Sequence, residues 1–343
     1  MADSPSFALQ SQLDYLYQNK PRRLALEAQS IAEFKLWQTA FRAELVKLLG
    51  LAGRIVPTKP HAELIQSIDR GDYVEEKYAL EVGDNIPAPM YILVPKTPPP
   101  YKPILAFHGH APSIQPILGN FPDEATAERL LAIDDNFAQA LAQVGYLVCA
   151  VEQRGFGERV TDQRGGPGEN RSCRHLAFEY MMQGRTLVGE RCWDGMVALS
   201  YVQNRPDVVP GVMGCTGHSG GGTTTQWLSA IEDRITVVVT SCYFCAFKQS
   251  ILGMEHCECN YVPGILELGE MGDMGALLAP KPFRVIAGEQ DPIFPAAGVR
   301  QEFETVKRAY DLWGAADKIS MDFHPGGHAY NHELSQDWFA RWL

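Results

Sequence analysis

The sequence predicts an α/β fold, a mostly parallel sheet with helices on both faces. Two observations carry that prediction. From Pro103 onward, short apolar runs alternate with segments whose apolar residues recur at helical spacing. The runs themselves, among them "PILAFHG", "YLVCAVE", "VMGCTGHS", "ITVVVTS" and "PFRVIAGEQD", are almost uninterrupted by polar residues. Strands read this way when both faces of a parallel sheet are buried.

Taken in order, Phe7 to about Gly50 has helical periodicity ("LDYLYQ", "IAEFKLWQTAFRAELVKLLG") and Gly50 is a helix stop, so residues 1–70 are expected to form a helical extension packed on the core. "YVEEKYALEVGDNIPAPMYILVP" alternates apolar and polar residues around Gly83-Asp84-Asn85, the pattern of an antiparallel hairpin at a sheet edge. "KTPPPYKP", Lys96 to Pro103, is a stiff connection. Helices are then expected near "DNFAQALAQVG", "RCWDGMVALSYVQNRP", "TTTQWLSAIED" and "GVRQEFETVKRAY", followed by a strand "KISMDFH" and a terminal helix "HELSQDWFARWL". No repeat or low-complexity linker interrupts them, so residues 71–343 read as one domain. Two stretches, 155–185 and 243–280, break the alternation. Both follow strands on the side where open α/β sheets bind ligands, and both are expected to be loop or lid insertions.

Composition narrows the function classes. Of 343 residues, 30 are Lys or Arg and 41 Asp or Glu, giving a formal charge of −11 that repels phosphate backbones and anionic lipid. Neither nucleic acid nor a membrane is an expected partner. The start, "MADSPSFALQ", lacks a secretory pattern, and no segment approaches the ~18 continuous apolar residues of a membrane span. The expected location is the cytoplasm. Several of the eight cysteines lie in apolar runs, which fits reduced thiols better than a disulfide framework.

The chemistry gathers at "GCTGHSGGGTTT". Gly217-His218-Ser219-Gly220-Gly221 matches G-x-S-x-G, in which a sharp strand-to-helix turn lifts a serine Oγ clear of the backbone and glycines on either side avoid clashes. A strand candidate precedes it and a helix candidate follows. Serine needs a base and an orienting carboxylate. Asp291, in "GEQDPIFP", and His328, in "HPGGHAYN", each lie just past a predicted strand, on the edge that carries Ser219. His324 and Glu289 compete for these roles but fall at or near the strand ends. The oxyanion donors are assigned to the main-chain N–H groups of Gly220, at the start of the helix, and His110, in the loop after "PILAFHG". His108 and His110 have the spacing of a metal pair, but no third ligand motif is near, and neither metal nor organic cofactor is expected.

With those residues in view, the chain resembles the α/β-hydrolase superfamily, and within it the dienelactone-hydrolase and acetyl-xylan-esterase-like serine carboxylesterases. "FHGH", "EQRGFGER", "GHSGGG", "GEQDPIF" and "HPGGH", spread over residues 103–343, carry the likeness. It implies an α/β-hydrolase fold with an eight-stranded sheet, residues 71–343 as the catalytic domain, hydrolysis of small-molecule or carbohydrate esters, and a Ser219-Asp291-His328 triad. Dienelactone hydrolases proper use cysteine as nucleophile, so their substrate is not implied. The N-terminal helices lie outside the superfamily's minimal core.

Two rivals stand beside this reading. A prolyl-oligopeptidase-like peptidase uses the same triad, but those enzymes usually carry a β-propeller, and the residues before Pro103 are too few and too helical for blades. A non-catalytic binding protein on the same fold would have no reason to keep nucleophile, acid, base and both oxyanion positions. Arg154 and Tyr243 are candidate substrate or loop contacts, with an internal ion-pair network the favoured reading of Arg154 and its charged neighbours. Cys242, Cys245, His256, Cys257 and Cys259 have enough ligands for zinc but a C-x-C spacing tighter than usual, and whether they are thiols, a disulfide or a metal set stays open. So does self-association through the N-terminal helices.

Overall fold

The computed structural model describes residues 7–162 and 172–343. Nine strands form one sheet: β1 (Ala62–Asp69), β2 (Tyr73–Glu81), β3 (Pro87–Pro95), β4 (Pro103–Phe107), β5 (Leu147–Val151), β6 (Gly214–His218), β7 (Val237–Ser241), β8 (Phe283–Gly288) and β9 (Ile319–His324). Its order is β1-β2-β3-β5-β4-β6-β7-β8-β9. Strands β1 to β3 are antiparallel, β3 meets β5 antiparallel, and from β5 to β9 all pairings are parallel. Helices are α1 (Leu9–Asn19), α2 (Ile31–Leu48), α3 (Glu124–Leu131), α4 (Phe137–Gln143), α5 (Cys173–Met182), α6 (Leu187–Gln203), α7 (Gly220–Ile231), α8 (Ile265–Leu268), α9 (Met271–Ala276), α10 (Ala296–Leu312) and α11 (His332–Trp342).

Every residue of β4 to β8 is buried, as their apolar sequence requires. The two faces of the sheet are covered by separate apolar clusters, a larger one that includes Phe107, Trp227 and Phe303 and a smaller one around Phe137, Val239 and Trp338. Strand order reverses at β4: the chain passes from β4 to β5 on one side and then to β6 on the other. The loops after β4 and β6 therefore diverge above the sheet and leave a crevice, the place where open α/β sheets bind ligands.

The expected fold class holds, with nine strands where eight were expected. The additional strand, β1, lies inside the 1–70 segment read as helical. It pairs only with β2, and each of its residues is exposed or half-exposed, so it carries no apolar alternation to betray it. The helices of that segment do form. Ser30 caps α2 by accepting the Glu33 N–H, and α2 buries Phe34, Phe41 and Leu45 in the larger cluster, whereas α1 buries no residue. The β2–β3 hairpin turns through Asp84 and Asn85, both at positive φ. Residues 163–171, part of the expected 155–185 insertion, lie outside the described residues. The remainder contains a short 3₁₀ turn at Gly157–Arg159 and α5.

Candidate active site

Ser219 stands between β6 and α7 at φ 56° and ψ −118°, a left-handed conformation unfavourable for any residue with a Cβ. Two close approaches force this turn. A Cβ on Gly221 would lie 1.8 Å from the Phe107 carbonyl oxygen, and one on Gly217 would lie 2.4 Å from the carbonyl oxygen of Gly221. Helix α7 thus presses directly on the end of β4, and the chain leaving β6 must turn sharply to enter it. The Ser219 N–H donates to the Ser241 carbonyl at 3.0 Å, tying the turn to β7.

Asp291 and His328 meet across the loops after β8 and β9. His328 Nδ1 lies 2.8 Å from Asp291 Oδ2, while Asp291 Oδ1 accepts the N–H groups of Ile293 (2.8 Å) and Phe294 (3.0 Å). Burial alone would raise the Asp291 carboxyl, but the hydrogen bond and charge of His328 and the two amides hold it below its ordinary value. An ionised Asp291 keeps the proton on His328 Nδ1 and leaves Nε2 free to accept one. The His328 ring stacks on Phe294 at 5.8 Å and lies 4.7 Å from the His218 ring. The loops are stitched together: Gln290 N–H donates to Gly326 and Glu289 N–H to His324, and a Cβ on Gly288 would meet the Gly327 carbonyl oxygen at 2.0 Å.

The competing residues are placed elsewhere. His324 is turned into its own loop, accepting the Gly326 N–H on Nδ1 with Nε2 3.2 Å from the Ala329 carbonyl oxygen. Glu289 faces solvent and pairs with Arg300 at 2.5 Å.

His110 follows β4, and its main-chain N–H meets no acceptor among the described residues. Its orientation follows from the peptide it shares with Gly109. The Gly109 carbonyl is held by the Ala111 N–H and by His108 Nδ1, both at 2.9 Å, and in a trans peptide the N–H points the opposite way. His108 Nε2 accepts the Gln153 N–H, and burial pushes this histidine down to about 3, so it is the neutral tautomer with its proton on Nδ1. Gly109 lies against the Ser219 turn, since a Cβ there would meet Ser219 Cβ at 3.4 Å. Phe156 packs edge-on against the rings of both His108 and His110.

A cavity of about 980 Å³ opens over these groups, with His110, His218, Ser219, Gly220, Phe294 and His328 in its wall. Pro112, Phe121, Leu130 and Ile133 give it an apolar side, and Met254, Glu255, His256 and Cys257 from the 243–280 stretch close it opposite. Sequence reading missed Asp135, whose Oδ1 is 3.6 Å from His218 Nδ1 at the cavity wall. Burial lowers His218, partly offset by Asp135, and its Nε2 has no partner among the described residues.

Arg154 and Tyr243 are not brought to the cavity. Arg154 is buried in an ion-pair network, bidentate to Asp194 and 2.8 Å from Glu190, with Arg159 also on Asp194. Tyr243 is a core residue whose hydroxyl accepts the Trp227 indole N–H at 2.8 Å. The five-residue zinc pattern is not assembled either. Cys242 donates to Ala329 and Cys245 to Pro295, and burial pushes both thiols up to about 12. Cys257 and Cys259 instead meet Cys173 and His110, a grouping hidden from sequence because its members come from three distant segments. None of the eight cysteines is in a disulfide.

No family model matches the sequence. A Bacillus subtilis (strain 168) protein described as "Putative hydrolase YtaP" is 29% identical over 317 residues, covering 88% of this chain and 100% of that one. A structure described as a "putative acetyl xylan esterase" from Bacteroides fragilis NCTC 9343 superposes with a TM-score of 0.81 at 17% identity, over 100% of this chain and 97% of that one. The fold is that of the α/β-hydrolases. A glucuronoyl esterase from Solibacter usitatus matches at a TM-score of 0.66 and 16% identity, over 99% of this chain and 98% of that one. In the α/β-hydrolase fold the nucleophile turn lies between strand and helix at the sheet's centre, as β6, Ser219 and α7 do here.

Proposed function

We propose that this protein hydrolyses carboxylic esters through an acyl-enzyme formed on Ser219. The observation that carries the reading is His328, held by Asp291 at 2.8 Å and standing in the wall of the same cavity as the strained Ser219 turn. Ser219 Oγ attacks the ester carbonyl while His328 Nε2 takes its proton, and Asp291 holds the resulting imidazolium in place. The N–H groups of His110 and Gly220 stabilise the oxyanion, each donor of this kind being worth about 3 to 4 kcal/mol. His328 then protonates the departing alcohol and, acting again as base, activates the water that frees the acid. His218 beside it, lowered by burial, stays neutral and adds no charge to oppose the imidazolium.

The esterases sharing the fold and the mixed wall of the cavity support a small-molecule or carbohydrate ester as substrate. Among the described residues no helix is long and apolar enough to cross a membrane. Eight unpaired thiols support a reducing compartment, the cytoplasm.

Initial rates on p-nitrophenyl acetate, butyrate and octanoate, with a proline-blocked p-nitroanilide alongside and Ser219→Ala as control, test the reading. Ester turnover that vanishes in the variant is the expected result. Anilide cleavage without ester cleavage would replace it with a peptidase. Silence on all four would remove ester hydrolysis of this breadth.

A further inference from the structure

Behind the loop that follows β4 lies a cluster whose side chains the proposed reaction does not use. His110, Cys173 and Cys257 each place a ligand atom within 4.8 Å of the other two, and Cys259 Sγ stands 3.3 Å from His110 Nε2. The four side chains come from the loop after β4, the first residue of α5, and the 3₁₀ turn at Glu258–Asn260 with Cys257 just before it. An exposed ion pair, Arg174 to Glu258 at 3.0 Å, joins the last two of these segments again.

Charge supplies a second, independent observation. Arg191 is 1% exposed and donates to Cys173 Sγ at 3.3 Å and to the Arg154 carbonyl, with Nη1 unpartnered among the described residues. Among the described residues no carboxylate lies within salt-bridge distance of it. Buried charges are paired, and the groups offered to this one are sulfurs.

We propose that His110, Cys173, Cys257 and Cys259 bind one zinc ion. Zn–S bonds of ~2.3 Å and Zn–N bonds of ~2.0–2.1 Å in a tetrahedron set the ligand atoms about 3.5–3.8 Å apart, so His110, Cys173 and Cys257 need only a small contraction, while Cys259, outside that mutual set, joins from its contact with His110. Three thiolates, one Zn²⁺ and Arg191 sum to zero charge. Protons still held by the thiols pass to solvent on binding. The Arg191 hydrogen bond to Cys173 is the kind of outer contact that orients a metal ligand. The site does not depend on ester chemistry, because binding is read without substrate.

Cobalt(II) titration of the full chain under reductant and without oxygen tests it. The expected result is a sulfur-to-cobalt charge-transfer band that saturates at one equivalent and is bleached by one equivalent of zinc. Cys257→Ser and Cys173→Ser should each weaken zinc by about 10- to 100-fold or more, since loss of outer partners alone costs that much. Cys245→Ser should bind as wild type. Cys257 is half-exposed, so its variant is expected to keep the wild-type far-ultraviolet spectrum. Absence of the band, wild-type affinity in both ligand variants, or loss of the band in Cys245→Ser would each overturn the assignment.

Discussion

Ser219 holds its backbone at φ 56° with a side chain present, which costs on the order of 1–3 kcal/mol. Ser219→Ala and Ser219→Gly should be equally inactive, but glycine relieves the strain, and thermal melts should place Ser219→Gly about 1 kcal/mol above Ser219→Ala. A lower melt for the glycine variant would mean the turn is not strained. His328→Ala should lose about 10³-fold or more in kcat/KM for p-nitrophenyl acetate, whereas His324→Ala, whose ring only ties its own loop, should keep most of it. Equal losses would undo the assignment of the base. The placement of Ser219, Asp291 and His328, the proposed triad, was legible because each stands just past an apolar strand. Asp135 was not, since a lone aspartate before a helix reads as a cap. Arg154 was half legible: alternating charges announced an ion network, and its Asp194 partner lay forty residues away on α6.

At the scale of elements, the contact between α7 and β4 decides whether the Ser219 turn forms. Gly221→Ala places a methyl 1.8 Å from the Phe107 carbonyl oxygen, so helix and strand must separate. Loss of activity with a destabilisation of about 1–3 kcal/mol is expected, measured by denaturant unfolding beside the rate assay. The loop after β4 is held from β5 by the buried Glu152, whose carboxylate accepts the Ile114 N–H at 2.8 Å. Burial pushes this carboxyl up to about 7 from 4.5. The folded chain therefore holds a proton there that the unfolded chain has released, and stability falls as pH rises from about 4.5 to 7. Melting curves across that range should flatten in Glu152→Gln; an unchanged slope would place the titration elsewhere. The hairpin and the parallel strands were legible from periodicity, and β1 was not, because an edge strand exposed on both faces lacks it.

Across the whole molecule, α2 belongs to the main core. Phe41→Ala should cost about 3–5 kcal/mol by chemical denaturation, far more than any single substitution on α1, which buries nothing. The α/β class was legible because five central strands are buried along their whole length, a burial that sequence records directly. Strand order and the thiol cluster were not, since both are set by which distant segments meet. The sheet also distributes the proposed triad unevenly. Ser219 is anchored at its centre, while Asp291 and His328 hang from β8 and β9, and β9 is an outer strand, half-buried except at His324 and paired on one side only. Sheets open from their margins inward. Warming should thus lift acid and base away together, still hydrogen-bonded to each other, while the serine stays in place. Heat inactivation should run several degrees ahead of the circular-dichroism melt and reverse on cooling, and coincident midpoints would show that margin and centre let go as one.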